Sequence, residues 1–209
     1  MENHVPIESV TPGQAGKLYD MFVASLCKSG SPKEPSQQVI EHQGAQVVRD
    51  MVAVFCKYVE AISNLIVRHV TMNRTRTPME AINATGRNKY VNDAVVAIMP
   101  QGEGDEADMI FFKPDKLAYD KNGLISDDEV ARQYEMRGLK PADPYLLAAA
   151  NEQDPAFADE HPNATHWKDA NGNWCYAAFC QWSVDERIVN VRRSGLGWDD
   201  DWWFGGVRK

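Results

Sequence analysis

Cysteine is scarce in this chain. Only Cys27, Cys56, Cys175 and Cys180 occur in 209 residues, and no two of them form a CxxC pair. That spacing argues against a disulfide scaffold or a structural zinc site and fits reduced thiols in a cytoplasmic protein. Long apolar runs are missing as well, so no membrane insertion is expected. The opening Met1-Glu2-Asn3-His4-Val5-Pro6 has no basic stretch ahead of an apolar one, so no signal peptide is expected. The sequons at Asn83 and Asn163 then carry no meaning. Positive charge is in deficit. The 22 Lys and Arg stand against 30 Asp and Glu, and a net charge of -8 disfavours nucleic acid and anionic membrane as partners. The one local basic cluster, Arg74, Arg76, Arg87 and Lys89, reads as a solvated loop. No nucleophile elbow, P-loop, dinucleotide fingerprint or HExxH is present.

What is present falls into three parts. Pro12 to Ser29 carries Leu18, Phe22 and Leu26 at helical spacing, and Gly30-Ser31-Pro32-Lys33-Glu34-Pro35 then breaks the chain. A long helix is predicted from Ser36 to Val70. Val48, Val52, Phe55, Val59, Ile62, Ile66 and His69 form one stripe on it, in steps of three and four. Such a stripe must be covered by the first helix, by the rest of the domain or by a second copy of the chain. Past Asn73 the pattern mixes. Pro78 to Ala84 reads as a short helix, and Val95–Ile98 and Met109–Phe112 read as strands around the Gly102–Asp105 turn. Ser126 to Met136 reads as a helix opened by the capping box Ser126–Glu129, and another short helix starts at Asp143 or Pro144. Glu152 to His161 is acidic and irregular. The last quarter is rich in strands. Asn171-Gly172 reads as a two-residue hairpin turn, followed by strands at Trp174–Phe179, at Arg187–Arg193 and from Trp202 onward. Helices first and strands last make the fold class α+β.

Two constellations invite a metal. Asp120 to Glu129 resembles the later part of an EF-hand loop, with Gly123 sixth and Ile125 eighth, but its first position is Ala118, where calcium needs a carboxylate. A turn followed by a capped helix accounts for the same residues. His161 and His166, beside Asp159 and Glu160, lack helical ligand spacing, and Pro162 interrupts any helix, so a surface loop is expected. No metal and no cofactor are expected.

The stretch Trp174–Lys209 reads as frame and display. Val189 and Val191 point one way along a strand, and Ile188, Asn190 and Arg192 point the other. Trp198 and Trp203 bracket Asp199-Asp200-Asp201-Trp202. Aromatic, Ser, Gly, Asn and Arg side chains are what adaptable binding surfaces use. This layout resembles the C-terminal variable region of diversity-generating retroelement target proteins, and Trp203-Phe204-Gly205-Gly206-Val207-Arg208 resembles the aromatic-Gly-x-x-Arg ending of their last strand. Leu139–Pro144, His166–Asp169 and the Trp174 strand resemble small proteins of viruses and uncultivated microbes. The resemblance covers about Asn73 to Lys209.

The resemblance implies a C-type-lectin-like domain over 73–209 with an N-terminal helical segment over 1–72. It also implies a non-enzymatic protein, cytoplasmic or virion-associated, that binds an unknown protein or surface ligand through a variable region at about 176–204. The family's reverse transcriptase miscopies template adenines, so asparagine codons become Asp, Ser, Gly, Cys, Ile, Leu, Val, Arg or Tyr but never Trp, Glu, Gln, Lys or Met. By that rule Cys180, Ser183, Asp185, Ile188, Asn190, Arg192, Ser194, Leu196, Asp199, Asp200 and Asp201 are the variable, ligand-binding positions. Trp182, Val189, Val191, Trp198, Trp203 and Phe204, with Trp202, are the frame. Two alternatives remain open. One is an interaction module that forms a homo-oligomer through the 36–70 helix. The other is a copper-dependent thiol oxidase, because formylglycine-generating enzymes share the lectin-like core and carry a cysteine pair spaced like Cys175 and Cys180. On a regular strand, residues five apart face opposite ways, which argues against such a pair.

Overall fold

The computed structural model describes residues 10–195 and 197–209, without the side chains of Ala61 and Ile62. Contacts divide the chain into a helical unit ending at Ile62 and a sheet unit running from Ser63 to Lys209. In the helical unit, α1 (Pro12–Lys28) opens on a capping box in which the Thr11 hydroxyl accepts from Gln14 N and the Gln14 side chain accepts from Thr11 N. Gly30 follows it at φ 71°. The second helix, α2 (Lys33–Ser63), buries none of its described side chains.

The long helix predicted to reach Val70 stops seven residues sooner. Asn64 turns the backbone at φ 51°, and β1 (Leu65–Thr71) follows as a strand. Ile66 and Val70 point inward on it while Val67, His69 and Thr71 are exposed. Ile66 and His69 continue the helical spacing, yet Leu65–Val70 also alternates and is rich in β-branched residues. Pairing with a distant strand decides between the two.

The sheet unit continues with α3 (Pro78–Ala84), β2 (Asn88–Val91), α4 (Asp93–Val96), β3 (Glu106–Phe112), α5 (Asp127–Met136), β4 (Leu139–Pro141), α6 (Pro144–Gln153), α7 (Phe157–Glu160), β5 (Asn163–Lys168), β6 (Trp174–Ser183), β7 (Glu186–Arg193) and β8 (Trp203–Arg208). The strands form one mixed sheet in the order β1-β3-β8-β5-β6-β7-β2, with β4 also pairing β8. Antiparallel pairs dominate. The parallel pairs are β2 with β7 and β5 with β8.

The two faces of the sheet are covered unequally. On one face Phe111, Cys175, Ala177, Phe179, Val189, Val191 and Trp203 join the helical residues Ile82, Val95, Leu147 and Phe157 in the main core. On the other face α5 lies over the β3–β8–β5 region. Its Tyr134 ring meets Phe112 edge-on at 4.9 Å, and its hydroxyl donates to Gly205 O at 2.8 Å. Gly206 permits that approach, because a Cβ there would stand 2.9 Å from Tyr134 Cε1 and 3.0 Å from Lys140 O. Toward β6, β7 and β2 this second face is partly open to solvent.

Several local expectations are corrected. Val95–Ile98 is not a strand: Asn92 caps α4 by accepting from Ala94 N, and the consecutive Val95 and Val96 are both buried. Asn171-Gly172 is not a two-residue turn. Lys168 pairs with Trp174 across a longer loop, Asp169 accepts from the backbone of Asn171 and Asn173, and of the pair only Gly172 takes positive φ. The capping box at α5 is half formed, since Ser126 accepts from Glu129 N while the Glu129 carboxylate pairs with Arg132. The basic cluster is not a solvated loop. Arg74 pairs with Asp143, Arg76 with Glu152, and Arg87 is buried over the Phe179 ring.

Candidate ligand-binding face

Cross-strand register builds the open face. Tyr176 pairs with Arg192, Ala178 with Asn190 and Cys180 with Ile188 across β6 and β7, and Asn88 and Tyr90 of β2 pair with Ile188 and Asn190. Paired residues project to the same side. Tyr176, Cys180, Asn190, Arg192, Asn88, Tyr90 and, beyond the bulge in β6, Trp182 therefore share one surface. Its reverse side is the buried row Ala177, Phe179, Val189 and Val191.

Contacts hold this surface in place. Arg192 Nε donates to Tyr90 O at 3.1 Å, and Tyr90 Oη donates to Glu186 at 3.0 Å. That hydrogen bond, with the Glu186 charge behind it, raises the Tyr90 pKa. The Tyr90 and Trp182 rings lie 6.3 Å apart. Tyr176 meets Trp198 edge-on at 5.0 Å, and burial pushes its hydroxyl pKa up.

Trp198 anchors the loop between β7 and β8. Its backbone forms a two-bond bridge with Ile125, and its indole donates to Asp127 Oδ1 at 3.0 Å. The same oxygen takes the His166 Nδ1 hydrogen bond at 3.2 Å. Burial alone would raise the Asp127 pKa. Hydrogen bonds from His166, Ser194 and Trp198 outweigh it and hold the carboxyl below its ordinary range. His166 is thus no surface-loop residue: it is buried on β5 and stacks on Trp174 at 4.3 Å. Sequence reading missed it because nothing near it in the chain signals its partner Asp127, 39 residues away.

The proposed variable positions fall into groups. Asn190 and Arg192 lie at the centre of the face, with Cys180 half-buried beside them. Ser183 and Asp185 are exposed at the β6–β7 turn. Ser194 lines a groove of about 640 Å³ together with Ser126, Asp127, Asp128 and Trp174. A smaller depression of about 330 Å³, lined by Asn88, Val184, Asp185 and Arg187, lies near the β6–β7 turn. Asp199, Asp200 and Asp201 are exposed, but they sit by Lys113, which donates to Asp200 O at 2.8 Å. Burial, reinforced by these three carboxylates, pushes the nearby Tyr119 hydroxyl to about 12. Leu196 lies outside the described residues.

Two placements overturn the expectation. Ile188 is 1% exposed, because β7 is an interior strand and Cys180 and Asn88 wall it on both flanks. Trp182 is 71% exposed and belongs to the surface instead of the frame. Of the other frame residues, Val189, Val191, Trp198, Trp203 and Phe204 are buried and Trp202 is half-buried. Cys175 lies in the main core and Cys180 on the opposite side of β6, and burial pushes both thiols up. No family model, curated protein or solved structure matches this chain.

Proposed function

We propose that this chain is a non-catalytic binding protein with a C-type-lectin-like sheet unit, diversified by a retroelement and engaging its ligand through the outer face of β6, β7 and β2. One observation carries this reading. The register gathers Tyr90, Tyr176, Trp182, Asn190 and Arg192 on one side of a sheet whose other side is packed at Ala177, Phe179, Val189 and Val191. Rigid aromatics supply contact area at low entropic cost, while Arg and Asn supply hydrogen bonds. A packed back side lets front residues change without unfolding the strand.

A thiol oxidase fits less well. Its two sulfurs would have to meet, but Cys175 and Cys180 face opposite ways, and both thiol pKa values are raised where a reactive pair needs thiolate.

The test is a pair of libraries. Randomising Ser183, Asp185, Asn190, Arg192, Asp199, Asp200 and Asp201 leaves most members folded, and binders to arbitrary protein targets can be selected from them. Randomising Val189, Val191, Trp203 and Phe204 abolishes folding in most members. Equal loss of folding in both libraries would sink the display reading. A near-copy of the 176–204 coding segment near the gene, with adenines at the codons of the variable positions, is the outcome expected of the retroelement. Substitution that ignores adenines counts against it.

A further inference from the structure

Two loops of the sheet unit share one sequence pattern and one conformation. Asp120-Lys121-Asn122-Gly123-Leu124 precedes α5, and Asp169-Ala170-Asn171-Gly172-Asn173 joins β5 to β6. In each, the aspartate takes the backbone N–H groups of the third and fifth residues on one carboxylate oxygen, and its carbonyl takes the glycine N–H. Gly123 and Gly172 stand at φ 74° and 80°. Both asparagines are exposed, and both loops line the groove of about 640 Å³. The loops differ at the second carboxylate oxygen. Asp120 Oδ2 accepts from the Asn122 side-chain amide at 3.2 Å. Asp169 Oδ2 is taken instead by Asn173 Nδ2 at 3.3 Å and by Arg193 Nε at 3.1 Å. The Asn171 side-chain amide has no partner among the described residues.

We propose that Asn171 is a site of spontaneous deamidation and that its twin, Asn122, is protected. A glycine after asparagine leaves the attacking backbone nitrogen without a neighbouring Cβ to shield it. Gly172 N attacks Asn171 Cγ, and the new N–Cγ bond closes a five-membered imide. The Cγ–Nδ2 bond breaks, and ammonia leaves with the proton that Gly172 N gives up. Water then opens the ring at either carbonyl and leaves aspartate or isoaspartate. No hydrogen bond opposes turning the Asn171 side chain into the attack geometry. At Asn122 the same turn first breaks the bond to Asp120 Oδ2. The hydrogen bond from the glycine N–H to the aspartate carbonyl is common to both loops and cancels from the comparison. The product adds one negative charge beside Asn173 and Trp174 at the groove, and isoaspartate also lengthens the backbone by one carbon between β5 and β6.

Incubation of the full chain in mildly alkaline buffer tests this, with samples digested by pepsin in acid and mapped by mass spectrometry. Asn171 is expected to deamidate roughly ten times faster than Asn122, a factor equivalent to about 1.4 kcal/mol, the net size of one hydrogen bond. In urea the two rates are expected to converge, since both sites are Asn-Gly. Exchanging the fifth residues of the loops, both exposed, gives a reciprocal check. Asn173→Leu frees an acceptor site on Asp169 for the Asn171 amide and is expected to slow Asn171, whereas Leu124→Asn is expected to speed Asn122. No conversion of Asn171 in the folded chain, an Asn122 rate equal to or above it, a difference that persists in urea, or rates unmoved by the exchange would overturn the proposal.

Discussion

Asp127→Ala tests the anchor of the open sheet face. Asp127 Oδ1 accepts from Trp198 Nε1 at 3.0 Å and from His166 Nδ1 at 3.2 Å, and all three side chains are buried. Alanine removes the acceptor and leaves two buried donors unpaired. Each unpaired donor costs about 1–3 kcal/mol, so a loss of about 2–6 kcal/mol is expected. Asp127→Asn keeps one acceptor oxygen and removes the charge, so its cost is smaller, at about 1–2 kcal/mol. Urea unfolding followed by tryptophan fluorescence measures both, and an unchanged slope certifies a shift in the midpoint as a change in stability.

Titration adds a second check. The Asp127 pKa is depressed in the folded chain, and an unfolded Asp titrates near about 3.9. The folded chain therefore holds the ionised form more tightly. The resulting stability is fully present above the unfolded pKa and is lost as pH falls through the lower, folded pKa. The Asn variant lacks this component, so its stability falls less steeply between about pH 4 and pH 2 than that of the wild type. An alanine variant that loses under about 0.5 kcal/mol would refute the reasoning, as would identical acid slopes in wild type and Asn variant.

Three further outcomes are expected. Gly206→Ala destabilises by about 1–3 kcal/mol in denaturant titration, because its Cβ would meet Tyr134 at 2.9 Å and the Lys140 backbone at 3.0 Å. Ile188→Asp costs at least about 3 kcal/mol or prevents folding, whereas Asn190→Asp two residues on stays within about 0.5 kcal/mol; equal effects would place Ile188 on the surface after all. With a thiol reagent under native conditions Cys27 reacts first and Cys175 only on unfolding, as time-resolved labelling with peptide mapping would show.

Local signals located much of the chain. Thr77, Ser126 and Asp143 accept hydrogen bonds at the starts of α3, α5 and α6, where their side chains can satisfy free N–H groups. Pro78 and Pro144 stand in the first turns, where a missing N–H costs nothing. The alternation of Val189 and Val191 identified a strand with one packed side, because a side-chain period of two needs no partner to be read.

Tertiary pairing decided the rest. The stretch from Leu65 to Val70 fits both a helix and a strand, and β3, some forty residues away, settles it. Ile188 and Asn190 have the same parity. Their different burial follows from the side chains that β2 and β6 set around each, and β2 arrives from a hundred residues upstream. His166 gained its role from Asp127 across a gap of 39 residues. A sequence records the backbone's local preferences. Which faces meet is fixed only when non-local strands pair and bury their surfaces together.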